Sequence, residues 1–228
     1  MTAVSKATAR ATDPATDATM GSAMRTRNRR GEGARLRPRI VAAAAELLDE
    51  GGSEAAVTLR AVARRAGIAA PSIYPHFADR QAILLAIVQE AFAELSEQLV
   101  AALTAADPVV RLHSVCAAYL DFAASRPQRY RVMFAGVWDV AQALDSGSIS
   151  EAEAAAVGRD ALAVFVTSLQ ACADAGRSTS DDPSADAIAL WLGLHGLAHQ
   201  RTAATSFPWP PDIPERIINP LAHLQPPA

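Results

Sequence analysis

Residues 58–80, TLRAVARRAGIAAPSIYPHFADR, constrain this chain more than any other stretch. They read as two short helices, 58–66 and 70–76, hinged at Gly67, with a third helix opening after Phe77. Thr58 can cap the first helix, and Leu59, Val62 and Ala63 give it an apolar face at helical spacing. Gly67 stands where the chain must turn sharply, a position glycine tolerates without steric cost. Pro71 falls near the first turn of the second helix, where a missing N–H does no harm. Short helices joined by such a turn form a helix-turn-helix, whose second helix lies in the major groove of DNA. Ser72, Tyr74 and His76 are hydrogen-bond donors suited to phosphate oxygens.

The charge distribution agrees with a nucleic-acid partner. The whole chain carries a net charge of −3, but residues 1–80 hold 13 Lys and Arg against 8 Asp and Glu, and residues 81–228 hold 8 against 16. A basic N-terminal part and an acidic remainder steer one face toward DNA and keep the other away. A non-specific architectural DNA-binding protein without an effector is an alternative. It would carry basic charge along most of its length.

Half of the residues are hydrophobic, dominated by Ala and Leu and poor in β-formers, so an all-α protein is the economical reading. At 228 residues the chain can hold a small DNA-binding unit and a larger core. Residues 1–34 lack a periodic apolar face and read as a disordered arm. Its basic run, Arg25 to Arg30 and then Arg35, Arg37 and Arg39, is either a solvated tail or an arm that follows the DNA backbone. Residues 35–82 then form the DNA-binding domain and 83–228 a helical effector-binding and dimerisation domain.

Further helices are expected at 38–50, stopped by Gly51 and Gly52, and at 79–103, capped by Asp79. In the latter Leu84, Val88, Ala91, Leu95 and Leu99 form one stripe able to pack against both domains, a mechanical link between them. Helices at 108–124 and 127–135 follow, then a loop at 140–150. Ser150 and Glu153 form a capping box for a helix that continues through Leu162 and Leu169 to Gly176. After a loop at 177–184 comes a helix at 185–205, then the break Pro208-Trp209-Pro210-Pro211 and a segment at 213–224 kinked or frayed by Pro220. No apolar run approaches the roughly 20 residues of a membrane span, and the N-terminus has no apolar signal core, so a cytoplasmic setting is expected.

Arg37 to about Leu95, a quarter of the chain, resembles the DNA-binding domain of TetR-type regulators. The likeness rests on IVAAAAELL ending at Glu50-Gly51-Gly52, on Val57-Thr58-Leu59-Arg60, on Ala66-Gly67-Ile68, and on Tyr74-Pro75-His76-Phe77 followed by Asp79-Arg80. The resemblance implies that Thr58 contacts phosphate and that Arg60 reaches toward the major groove. It implies that Ala69, Ala70, Pro71 and Ser72 face base edges, that Tyr74 and His76 hold the backbone, and that Arg80 binds phosphate. A second likeness, Trp191 to Leu197 together with Arg126 to Phe134, is to a subgroup of TetR-type ligand domains with a Trp-x-x-x-His-Gly signature. It implies dimerisation through the last two long helices, with Gly193 and Gly196 allowing close approach and Trp191 and Leu197 supplying buried area. The chain would then be a homodimeric repressor that releases a palindromic operator when an effector binds.

Such a regulator needs a cavity, mostly apolar with a few polar groups. Candidate lining residues are His113, Cys116, Tyr119, Met133, Phe134, Trp138, Phe165, Leu169, Trp191 and His195. None of these faces carries a charged residue, so the expected effector is hydrophobic or weakly polar. His195 and His199, four apart, could share a metal on one helical face, which leaves a metal-sensing regulator as an alternative. No matching third ligand lies on that helix and no activated nucleophile is recognisable, so neither a cofactor nor an enzyme is expected. Cys116 and Cys172 lie in apolar helical stretches and read as small core residues or as a redox pair.

Overall fold

The computed structural model describes residues 32–134, 140–145, 147 and 149–226. Most of the expected arm, residues 1–31, and Trp138 lie outside the described residues. Among the described residues the regular structure is helical, apart from one isolated bridge between Ser178 and Leu224.

The first core is built by α1 (Glu32–Gly51), α2 (Leu59–Arg65) and the first half of α3 (Arg80–Ala101). Ile40, Val41, Ala44 and Leu48 recur at helical spacing along α1 and are buried against Val57, Val62, Ile83 and Ile87. Thr58 caps α2 by accepting from the Ala61 amide at 3.2 Å, and Asp79 caps α3 by accepting from Ala82 at 2.8 Å. Helix α1 starts earlier than position 38 and carries Pro38 inside it. Pro38 removes one ladder bond, but Leu36, one turn back from Ile40, is buried in the core and holds the added turn in place.

The second core is formed by the last turns of α3, by α4 (Pro108–Ser125), α5 (Pro127–Phe134), α8 (Arg159–Asp174), α9 (Pro183–Ala203) and α10 (Ile213–Leu221). Tyr119, Phe122 and Phe165 are its largest fully buried side chains, each worth about 1.5–3 kcal/mol of burial. Cys116 and Cys172 sit in it as buried free thiols, and burial raises both above the usual thiol range, Cys172 to about 11. They are therefore protonated and unreactive near neutral pH. Helix α5 joins the cores, because Val132 packs in the first and Tyr130 in the second.

Three expectations of regular structure are corrected. The span 140–150 is not all loop: α6 (Val140–Asp145) forms there, and Ala143 and Ile149 pack on Leu85. The capping box at Ser150 and Glu153 is present, but its helix, α7 (Glu151–Ala156), stops at once. Gly158 takes φ +76° and restarts the chain as α8. A Cβ there would lie 2.8 Å from the Phe92 ring, so glycine serves both the backbone turn and the close approach. Finally, α10 stops at Leu221 rather than at 224, with Pro220 in its last turn.

Candidate nucleic-acid interface and internal cavity

The turn between α2 and the following segment is closed by backbone bonds from Ile68 to Ala63 at 2.9 Å and from Gly67 to Arg64 at 3.2 Å. Gly67 adopts φ +64°, as the turn demands. Arg39 of α1 donates to the Ala66 carbonyl, tying the turn to the first helix. The guanidinium of Arg37 stacks 4.8 Å from the centre of the Phe77 ring. Two of the basic residues expected to belong to an arm are thus engaged inside the folded unit.

The expected helix at 70–76 is a 3₁₀ turn, Ala70–Ser72, followed by a looser turn. Pro71 and Pro75 explain the difference. Neither has an N–H, and Pro75 is the residue that would have donated to the Pro71 carbonyl. The segment keeps i→i−3 bonds instead, Ser72 to Ala69, Ile73 to Ala70 and His76 to Ile73. It is anchored by Ile73 and Phe77, both buried, which leaves Tyr74 outward at 60% exposure. Thr58, Arg60, Ala69 and Pro71 are exposed on the same motif, and Ala70, Ser72 and His76 are half-buried.

Arg80, expected to bind phosphate, is engaged within the protein through two of its nitrogens. Its Nε donates to the Val57 carbonyl at 2.8 Å and its Nη2 to that of Glu54, so it braces the start of α3 against the loop before α2. A cation missed in the sequence is Arg64, one turn beyond Arg60, exposed and without an ion pair among the described residues. Its i,i+4 spacing from Arg60 was the available signal. Arg65 next to it is held by Glu46 and Glu50.

A cavity of about 340 Å³ lies between α3, α4, α5, α8 and α9. Of the candidates, Tyr119, Phe134, Phe165 and Trp191 line it. Cys116 and Leu169 are sealed in the core, Met133 packs against that core from a half-buried position, and His113 lines a shallow outer groove beside Glu215. His195 lies beyond Phe134 and lines a second pocket of about 450 Å³ with Tyr130, Arg131 and His199. Lining residues the sequence did not single out are Phe92, Leu95, Val157, Gly158, Ala161 and Leu162. Arg159 is also there, so the expectation of no charged lining residue is corrected.

Between the two pockets stands a hydrogen-bonded cluster. The Tyr130 hydroxyl is 2.7 Å from His195 Nδ1, and the Tyr119 hydroxyl is 3.0 Å from that of Tyr130 and 3.3 Å from His195 Nδ1. Burial raises the Tyr119 phenol to about 12 and lifts that of Tyr130 as well, while burial and then the nearby His199 pull His195 below 6.5. Near neutral pH both phenols keep their protons and the imidazole is neutral. With Nδ1 as acceptor, Tyr130 donates to it and Tyr119 donates to the Tyr130 oxygen. Among the described residues no group of three or more His, Cys, Asp or Glu is placed to hold a metal ion.

Helix α5 carries this cluster toward the first core. Arg129 bonds Glu94 and lies 3.3 Å from Asp49 at the end of α1, and Arg126 also reaches Glu94. Arg131 donates to the Gly52 carbonyl at 2.7 Å and lies 3.5 Å from Glu54.

Gly193 does not face outward. A Cβ there would meet Ile217 and Leu221 of α10, whereas Gly196 has open space. Trp191 packs inward on His195 with ring centres 5.6 Å apart, and Leu197 is buried. The exposed apolar residues of α9 are instead Ile188 and Leu192. Among the described residues no helix is long and apolar enough to cross a membrane.

Comparison with known proteins gives two family matches. Residues 40–87 match the tetR family of bacterial regulatory proteins, and residues 112–223 match a tetracyclin repressor-like C-terminal domain. Solved structures with the same fold include a protein of unknown function from Rhodococcus sp. RHA1, 23% identical, covering 82% of this chain and 91% of that one with a TM-score of 0.65. A tetR-family regulatory protein from Rhodococcus RHA1 is 24% identical, with coverage of 82% and 93% and a TM-score of 0.55. SmeT, the repressor of the Stenotrophomonas maltophilia multidrug efflux pump SmeDEF, is 22% identical, with coverage of 83% and 90% and a TM-score of 0.56. No curated protein matches.

Proposed function

This chain belongs to the tetR family of bacterial regulatory proteins, and we propose that it is a homodimeric repressor that leaves a palindromic operator when a small molecule enters the aromatic cavity. Membership makes it a DNA-binding transcription regulator. Two units, 35–82 and 83–228, divide the work, and the second belongs to the subgroup marked by Trp191, His195 and Gly196. Thr58, Arg60, Ala69, Ala70, Pro71, Ser72, Tyr74 and His76 form the DNA-facing surface, joined by Arg64, while Arg80 braces the motif. Two such surfaces read half-sites roughly 34 Å apart, or a multiple of that spacing.

The observation that carries this reading is the placement of α5, with Val132 in the first core and Tyr130 in the cluster beside the cavity. Occupation of the cavity that disturbs Tyr119 and Tyr130 shifts α5, and through Arg129 and Arg131 it shifts α1 and the loop before α2. Helix α3, which spans both cores, moves with them. By linkage, DNA and effector weaken each other's binding by the same factor.

Dimerisation is assigned to α8 and α9, where Ile188, Leu192 and Gly196 repeat at four-residue spacing on the exposed side of α9. Sedimentation tests the reading: two chains should load per operator duplex, and Leu192→Asp should yield folded single chains that bind the duplex weakly. One wild-type chain per duplex would overturn it.

A further inference from the structure

We propose that the occupant of the aromatic cavity is a flat aromatic molecule bearing one acidic group, its rings held among Phe92, Phe134, Phe165 and Trp191 and its anion at Arg159. The proposal rests on the reading of this cavity as the effector site, and it names the chemistry of that effector.

Shape argues first. The walls are rings set at steep angles to one another: Phe92 meets Phe134 edge-on at 5.6 Å between centres, and Tyr119 meets Phe165 edge-on at 5.8 Å. A planar guest presents a face to one ring and an edge to the next, the arrangements aromatic pairs favour. At about 340 Å³ the space is small for a ligand site and suits a compact molecule of two or three fused rings.

Charge argues second. Among the described residues Arg159 is the one charged side chain that lines this cavity, and none of the described lining residues is a carboxylate. The guanidinium donates through Nη2 to the Ala155 carbonyl at 3.0 Å, which holds it at the rim, and among the described residues it makes no ion pair. The carboxylates of Glu97, Glu153 and Asp160 line a neighbouring groove, which shares Phe92, Val157 and Gly158 with the cavity. Glu153 is also committed to the capping box with Ser150. A charged ligand group entering an apolar site needs a counter-charge, and the one offered is positive. A cationic guest would have to leave its charge beside Arg159.

Calorimetric titration of the full chain with three matched probes tests this: 2-naphthoate, 2-naphthamide and 2-naphthylmethylammonium. The expected order places 2-naphthoate tightest and the ammonium weakest. Arg159→Gln should weaken 2-naphthoate by about fivefold, the scale of an exposed ion pair, and leave 2-naphthamide unchanged, with Arg159→Lys restoring most of the loss. Leu162→Trp, which fills the cavity, should abolish binding of all three while the melting temperature confirms folding. The proposal is overturned if the ammonium binds as well as the carboxylate, if Arg159→Gln weakens all probes equally, or if none of the three binds. Arg159-dependent binding of 2-naphthoate that leaves operator affinity unchanged would support the ligand class and instead contradict the ligand-responsive repressor.

Discussion

The Tyr130 hydroxyl lies 2.7 Å from Nδ1 of His195. It links α5 to α9 across the floor between the two pockets. Residues on either side of Tyr130, Arg129 and Arg131, reach Asp49, Gly52 and Glu54 in the DNA-binding half. A short helix thus reports on the cavity at one residue and grips the other half of the molecule at its neighbours.

Removing the hydroxyl with Tyr130→Phe should lower stability by about 1–2 kcal/mol, since it takes away the hydrogen bonds to His195 and Tyr119 and, among the described residues, leaves the half-buried His195 with the longer contact to Tyr119. Urea denaturation reads this as a lower midpoint at unchanged slope. A midpoint equal to wild type would mean the cluster contributes nothing.

The same cluster should make stability sensitive to mild acid. Burial holds the His195 pKa below its ordinary 6.5, so the unfolded chain binds this proton more readily than the folded one. The neutral imidazole's contribution is complete above 6.5 and is lost as the pH falls through the lower folded value. Thermal melts at about pH 7.5 and about pH 5.5 should show a larger drop for wild type than for His195→Gln. Equal drops would place the acid sensitivity elsewhere.

Arg129→Ala combined with Arg131→Ala should separate binding from signalling. These pairs are partly exposed, worth up to about 1 kcal/mol each, so folding and operator binding survive. Calorimetry should give an unchanged 2-naphthoate affinity, while the ratio of operator Kd values with and without the probe falls toward one. A ratio as large as wild type would move the coupling path to α3 alone.

At the DNA face, Tyr74→Ala should weaken binding to all duplexes alike, because its outward phenol is assigned to the backbone. Arg60→Ala and Arg64→Ala should each reduce the slope of log Kd against log salt by about one if each contacts a phosphate. Arg60→Ala should in addition change sequence preference. Wild-type behaviour of Tyr74→Ala on every duplex would remove the assigned contact.

Local signals carried the sequence reading well. The caps at Thr58, Asp79 and Ser150 were legible because a cap involves a side chain and an amide only a few residues apart. Gly67 was legible for the same reason. Pro75 was not given its weight, although together with Pro71 it turns the expected second helix into a 3₁₀ turn. Gly158 was hidden by an apolar periodicity that continues across it, and its need for glycine comes from Phe92, far away in sequence. Gly193 has the spacing of a helix contact, but spacing does not say which helix approaches; here it is α10 of the same chain. Tyr130 was not among the candidate cavity residues, since its partners lie on α4 and α9. The brace that Arg80 makes to Val57 and Glu54 was not legible, because its acceptors are backbone carbonyls 23 and 26 residues away.

Selection of bound duplexes from a random pool by the purified full-length chain, followed by sequencing, is the most direct test. We expect a palindrome to be enriched, with half-sites one helical turn or a multiple apart. A folded dimer that enriches no sequence, or only a single unpaired half-site, would contradict a sequence-specific regulator that works as a pair.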